Sequence, residues 1–372
     1  MTARERWLAA LNHQEPDRVP IHDSPWFTTV RRWRKEGLSE DESPDDYFGF
    51  ELVGQGADRS MRLPTETLEE TDEYKVVRDS NGAVIRDWKG KTSTPECRSF
   101  LITNRDIWNA HKHLMEGDDY RVNWASGLAN NKRWRLEGKF IYYDSSAGYD
   151  YMQHLTGTEN LLMALITDPE WAADMFMTSA EVAVDMGRRM MKGGFQFDAA
   201  FTNDDLGYRN GLLFSPRIYK ELLAPAHKLI CDYFHSQNLP VLLHSCGNVK
   251  ALIPLLIESG FDCLQPLEVK AGMDLIELKK KYGDKLAFMG GIDVRKMALD
   301  DPGPIEEEIR TKFAVAKKGG GYIYHSDHSV PDDVSFQSYC RVMELVRKYG
   351  EYQGTGSAIP PQVRSSEQHS KG

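Results

Sequence analysis

The stretch PVLLHSCGNV, residues 240–249, sets an imidazole and a thiol two positions apart at the end of an apolar run. In an extended strand, residues i and i+2 point to the same face with their α-carbons about 7 Å apart. His244 and Cys246 can therefore reach one cation. Zinc takes both groups at about 2.0–2.3 Å, and a catalytic zinc uses three protein ligands and keeps one position open. Two other readings compete: a nucleophilic Cys246 whose thiol pKa is lowered by His244, or ordinary core packing. A third metal ligand has to come from another strand end. HSDHS (325–329) offers His328 or Asp327, and Glu268 stands on the strand between.

Other polar residues fall at comparable places. Asp144, Asp204, Asp205, His244, Cys246, Glu268, Asp293, His325, Asp327 and His328 all follow short aliphatic runs. One aspartate at a strand end is usually a helix cap. Ten such groups on successive strand ends would converge on one opening.

The elements that must hold them follow a repeated grammar. Strand ends read FIYYDSSAG (140–148), AAFTNDDLG (199–207), PVLLHSCGN (240–248), CLQPLEV (263–269), LAFMGGID (286–293) and YIYHSDHS (322–329). Between and after them lie helical stretches near 159–192, 216–236, 249–259, 273–282, 304–318 and 334–349. Pro225 should kink or split the second of these. Alternating strands and helices imply parallel pairing through right-handed crossovers. With RVPIH (18–22) and FELVG (50–54) the strands number eight, which predicts a (β/α)8 TIM barrel, an α/β fold whose active site lies at the C-terminal ends of its strands. No G-x-G-x-x-G loop supports a dinucleotide fold.

Residues 57–139 break the pattern. EYKVVRDSNGAVIRDW (73–88) alternates on both sides of Asn81-Gly82 and predicts an antiparallel hairpin with a type I′ turn, inserted beside the barrel mouth. Residues 1–350 are expected to form one domain, and the polar, Pro/Ser-rich tail 351–372 to be disordered.

Composition narrows the partners. The chain has 372 residues, 41% hydrophobic and 27% charged, with a net charge of −10. That balance argues against nucleic acid or an anionic membrane as partner, and no apolar run has the ~20 residues that cross a bilayer. Thr2 and Glu5 form a capping box on a charged amphipathic N-terminal helix rather than a signal peptide. Five scattered cysteines suit a reducing cytoplasm. The oligomeric state stays open, a homodimer included.

Several segments resemble one superfamily. RERWLAALNHQEPDRVPI, NDDLGYRNGLLFSPRIYKELLAPAHKLI, LLHSCGNV, LQPLEVKAGMDLIELKKKYGDKLAFMGGID and GGYIYHSDHSVPDDVS are similar, in order and spacing, to uroporphyrinogen-decarboxylase-like proteins over most of residues 3–350. The resemblance implies a single (β/α)8 barrel. The decarboxylases hold a tetrapyrrole without metal, through an arginine cluster like RQAGRY; this chain has HDSPWF (22–27) there. The cobamide-dependent methyltransferases of the superfamily bind zinc through an H-x-C pair and a distant third cysteine. Here SDHSVP puts His328 at the place of that cysteine.

The resemblance thus implies a zinc-dependent methyltransferase with zinc on His244, Cys246 and His328. It would move a methyl group from a small methylated donor, such as a methyl ether or methylamine, to the cobalamin of a corrinoid-binding partner protein. Glu268, Asp205 and Asp144 are the expected acids that protonate or orient the leaving group. Tyr143, Tyr208 and Trp26 are the expected aromatic walls, with Asp204 and His325 beside them at the substrate. The runner-up is a metal-free carboxy-lyase acting on an aromatic or pyrrolic acid. A third option is a silent barrel that carries a corrinoid or tetrapyrrole.

Overall fold

In a computed structural model, residues 1–91 and 95–352 are described. Their frame is a seven-stranded, wholly parallel sheet: β1 (Leu52–Gln55), β2 (Phe140–Asp144), β3 (Ala199–Asn203), β4 (Val241–His244), β5 (Cys263–Gln265), β6 (Ala287–Met289) and β7 (Tyr322–Ile323), each beside its sequence neighbour. Helices connect the strands, as alternation required.

Strand period decides what each face carries. Leu52, Phe140, Ala199, Phe201, Leu242, Cys263, Ala287, Met289 and Ile323 form one buried inner cluster, closed at its base by Trp7, Ala10 and Leu11 of α1 (Ala3–Leu11). The alternate residues, among them Ile141, Tyr143, Ala200, Val241, Leu243, Leu264 and Phe288, pack in the larger outer cluster with the helices. In α1, the capping box forms as the sequence requires: Glu5 N–H donates to Thr2 Oγ1 at 3.2 Å, and Thr2 N–H to Glu5 Oε2 at 2.8 Å.

The eighth strand is a correction. Residues 18–22 make one parallel bridge, Ile21 to Tyr324, not a ladder. Tyr324 N–H donates to Pro20 O at 2.9 Å, and Glu51 N–H donates to Ile21 O at 3.0 Å. Ile21 N–H goes to the Glu51 side chain at 3.0 Å instead of to a backbone partner. Pro20 has no N–H to give. The segment therefore fills the gap between β7 and β1 without regular strand pairing.

The insertion is larger than one hairpin. Glu66–Glu70, Tyr74–Arg78, Val84–Trp88 and Glu96–Ser99 form a four-stranded antiparallel sheet. Its central turn is not the expected two-residue type I′. Asp79 N–H bonds Ala83 O at 2.9 Å around a three-residue loop in which Gly82 alone is left-handed, at φ +78°. Asp79 Oδ1 accepts from Asn81 and Ala83 N–H, both at 2.9 Å, so a side chain holds the turn in the longer form. Near Pro225 the helix is split as expected, with a π-helical turn at Tyr219–Leu223 before Ala224–Ser236. The predicted disordered tail lies outside the described residues, except that Glu351 bridges Arg18 and Tyr352 N–H bonds Asp17 O at 3.1 Å.

Asp17 ties the chain's start together. It accepts from Arg6 Nε at 2.6 Å, Arg6 Nη2 at 2.8 Å and the Met1 amino group at 3.0 Å. Burial by itself raises its pKa, but Arg6 and the amino group outweigh burial and hold the carboxyl well below its usual range. A depressed folded pKa gives stability that is present above the unfolded carboxyl value of about 3.9 and is lost as pH falls through the folded one. Asp17→Asn is therefore expected to flatten the loss of stability in urea melts below about pH 4; parallel acid profiles for variant and wild type would refute this.

Candidate metal centre

Period 2 carries the inner face onward to the C-terminal strand ends. His244 shares a face with Leu242, and Gln265, its direct register partner, shares one with Cys263. His325 continues the phase of Ile323. Cys246 follows in the β4 loop. That loop passes so close to the small hairpin at 207–212 that a Cβ on Gly247 would lie 2.4 Å from Gly207 C, and Gly247 is left-handed at φ +80°. Glycine is needed there on both counts. Asn248 N–H bonds Tyr208 O at 3.0 Å and fixes the hairpin over the loop.

Cys246 is the common member of two donor groups. Asp205, His244 and Cys246 bring one ligand atom each within 4.8 Å of one another; Cys246, Glu268 and His328 do the same. Sγ lies 3.4 Å from His244 Nε2, which lies 3.5 Å from Asp205 Oδ1. Asp205 Oδ1 also accepts the Cys246 N–H at 2.8 Å. The expected set of His244, Cys246 and His328 is thus divided: the two histidines stand in different groups that share the sulfur.

Burial, then the charges of Asp205 and Glu268, push the Cys246 thiol far above its ordinary value. A thiol so placed is a poor free nucleophile, because the thiolate is the reactive form. The same surroundings suit a dication, whose charge offsets the carboxylates and holds the sulfur deprotonated. Thiolate, imidazole and carboxylate at this spacing are an ordinary zinc donor set. Burial and then Lys270 lower the pKa of His328, leaving a neutral ring, the form that binds metal. Lys270 Nζ lies 3.8 Å from Glu268 Oε2.

The other expected residues separate. Trp26 is beside the donors, its ring edge-on to His328 at 6.0 Å. Tyr208 is half exposed on the hairpin. Tyr143 is fully buried on the outer face, donates to Ala183 O at 2.7 Å and packs on Phe197 and Phe234, so it faces the helices and not the mouth. Its neighbour Tyr142 has the inward phase. Asp204 is sealed in the core, where it accepts from Asp150 N–H at 2.6 Å and pairs with His227 Nε2 at 2.9 Å. Asp327 is also buried and accepts two backbone N–H groups, from Val269 at 2.9 Å and Val294 at 3.0 Å. Asp293 caps the short helix Val294–Met297.

Asp144 does not stand free as an acid. Burial would raise its pKa, but the buried Arg59 guanidinium, 3.2 Å away, and the Ser146 hydroxyl and N–H hold it below its ordinary value. Asp150 shifts the other way, up to about 6, through burial and the charges of Asp205 and Asp204. Arg59, Asp150 and Gln265 escaped the sequence reading. Only Gln265 carried a signal, its inward phase on β5; the first two come from a loop and a helix start that have no such period.

The described residues include no helix long and apolar enough to cross a membrane. Among relatives, a methylated-thiol–coenzyme M methyltransferase of Methanosarcina mazei is 24% identical over 47% of this chain and 45% of that protein. A uroporphyrinogen decarboxylase of Pectobacterium carotovorum is 30% identical over 32% of this chain and 34% of that protein. The methylcobamide:CoM methyltransferase MtaA of Methanosarcina barkeri is 33% identical over 29% of this chain and 30% of that protein. The chain thus matches less than half the length of each of these relatives. A solved methyltransferase from Methanosarcina mazei has the same fold, with a TM-score of 0.61 at 16% identity, covering 94% of this chain and 99% of that one. The uroporphyrinogen decarboxylase (URO-D) family pattern matches residues 146–349, more than half of the chain and all the donors around Cys246. By that match the chain belongs to the uroporphyrinogen decarboxylase family.

Proposed function

We propose that this protein is a zinc-dependent methyltransferase that moves a methyl group from a small methylated donor to the corrinoid of a partner protein. One observation carries the proposal: Cys246 Sγ belongs to two donor groups at once, each with a carboxylate and an imidazole. The relatives named as methyltransferases add support. We also treat residues 1–350 as one working unit and the sheet as a (β/α)8 barrel closed through Ile21, given hydrogen bonds on both sides of that segment. Five free cysteines suit a cytoplasmic location.

A zinc ion held by Cys246, His244 and Asp205, or by Cys246, Glu268 and His328, would supply Lewis acidity to the heteroatom that carries the methyl group. The protein's own groups do the rest. Asp205 Oδ1 grips the Cys246 N–H and so fixes the loop that presents the sulfur. Trp26 and Tyr142 offer aromatic surface for the donor. Asp150, whose carboxyl burial and the charges of Asp205 and Asp204 push up to about 6, is the group we assign as general acid for the departing heteroatom. Asp144 stays ionised and anchors Arg59.

The metal-free lyase needs a free cation for the substrate carboxylate. Of the cations near the strand ends, Arg59 is paired with Asp144 at 3.2 Å, Arg295 with Asp293 at 2.7 Å, and Lys270 lies 3.8 Å from Glu268; Arg209 is exposed on the hairpin. The deciding experiment measures metal content, then methyl transfer from a panel of methyl ethers, methylamines and methylated thiols to free cob(I)alamin. Stoichiometric zinc and methylcobalamin formation are expected. A metal-free protein that releases CO2 from a porphyrinogen would overturn the proposal in favour of the lyase.

A further inference from the structure

We propose that Gln265 is the positioning residue for His244, and that the Ser326 carbonyl, acting through His325 and Gln265, sets which nitrogen of His244 faces Cys246. The inference rests on reading the Cys246 region as a metal site.

With both imidazoles neutral, the chain of hydrogen bonds has one consistent polarity. A carbonyl oxygen only accepts, so His325 Nδ1, 2.7 Å from Ser326 O, carries its proton. His325 Nε2 then keeps its lone pair. It faces the Gln265 amide nitrogen at 3.4 Å and the Ser24 hydroxyl at 3.4 Å, both of which can donate. With its NH2 committed there, Gln265 turns Oε1 to His244 Nδ1, which must donate. What remains on His244 is the Nε2 lone pair, aimed between Cys246 Sγ at 3.4 Å and Asp205 Oδ1 at 3.5 Å.

The fold supports this relay. His244 and Gln265 are paired residues of adjacent parallel strands, so their side chains rise from the same face. Gln265 is 5% exposed and His325 2% exposed, so water cannot easily replace either partner. An outer partner of this kind fixes the orientation of a ligating imidazole and raises its basicity; losing it typically costs about 10–100-fold in metal affinity. A glutamine that merely filled space would have no such effect.

Two measurements on the full chain test the relay. With 15N-labelled histidine and no metal, at a pH high enough that both rings are neutral, long-range 1H–15N correlations should show the Nδ1–H tautomer at both His244 and His325. The Nε2–H tautomer at either position overturns the inference. Zn(II) titration against a chromophoric chelator should show Gln265→Met binding about 10–100-fold more weakly, and Gln265→Glu, which can still accept from Nδ1–H, within about threefold of wild type. The Co(II) d–d spectrum should change in the methionine variant and be kept in the glutamate one. If wild type binds Zn(II) and Gln265→Met binds it equally well, the inference falls and the metal reading stands. If wild type binds none, both fall. Should Gln265→Met fail to fold, the tautomer measurement decides alone.

Discussion

Cys246→Ser is expected to strip the protein of stoichiometric zinc and to lower methyl transfer by about 10³-fold, equivalent to about 4 kcal/mol of barrier. The cause is the shared position of the sulfur. Asp205 and His244 share it in one group, Glu268 and His328 in the other, and either group loses its soft ligand when Sγ is replaced. A serine hydroxyl does not ionise near neutral pH and leaves imidazole and carboxylate alone. Loss of a ligand should cost more than the 10–100-fold loss that follows removal of an outer partner. The same assay separates the two groups. If the ion sits with Asp205 and His244, His244→Ala abolishes binding and His328→Ala leaves most of it; the reverse pattern assigns the other group. Metal analysis of the three purified variants reads this directly. Full zinc occupancy in Cys246→Ser would remove the basis for the proposed function.

The second large effect concerns stability, at the opposite end of the sheet. Glu51→Gln is expected to destabilise the fold by about 3 kcal/mol, read as a lower urea midpoint at unchanged slope. The Glu51 side chain is buried, and its two oxygens meet four donors. Oε1 accepts from Arg6 Nη1 at 2.5 Å and Arg18 Nη2 at 2.6 Å. Oε2 accepts from Trp7 Nε1 at 3.1 Å and Ile21 N–H at 3.0 Å. An amide of the same shape removes the charge and sets an NH2 against donors. Arg18 can turn to water, but Arg6 is 8% exposed in its side chain and Trp7 is fully buried. A buried group left without its partner bears the cost of desolvation. Because Glu51 joins α1 and the Ile21 segment to β1, the loss should appear as global unfolding. A variant with the wild-type midpoint would show that these contacts contribute little.

The β/α order, the N-terminal cap, the break at Pro225 and the inward pairing of His244 with the Cys246 loop were all legible in the sequence, because each depends on neighbours within a few residues. A capping box needs positions 2 and 5 and a strand face needs period 2; neither needs the rest of the molecule. The same period misled at Tyr143. FIYYD offers two adjacent tyrosines, and only the packing of the two sheet faces says which is inside. At Asn81-Gly82 a dipeptide preference gave way to Asp79, whose carboxylate holds the longer turn.

By itself the sequence determined that strand ends rich in His, Cys, Asp and Glu would gather at one rim, and which strands would bring them. Only the tertiary structure decided how they divide: His244 and His328 in separate donor groups that share Cys246, Asp204 withdrawn into the core with His227, Asp144 taken by Arg59, and Gln265 brought behind His244. Each of those outcomes joins residues 20 or more positions apart. Local pattern fixes the face from which a side chain starts, whereas its partner is fixed by packing between segments that no short-range periodicity relates.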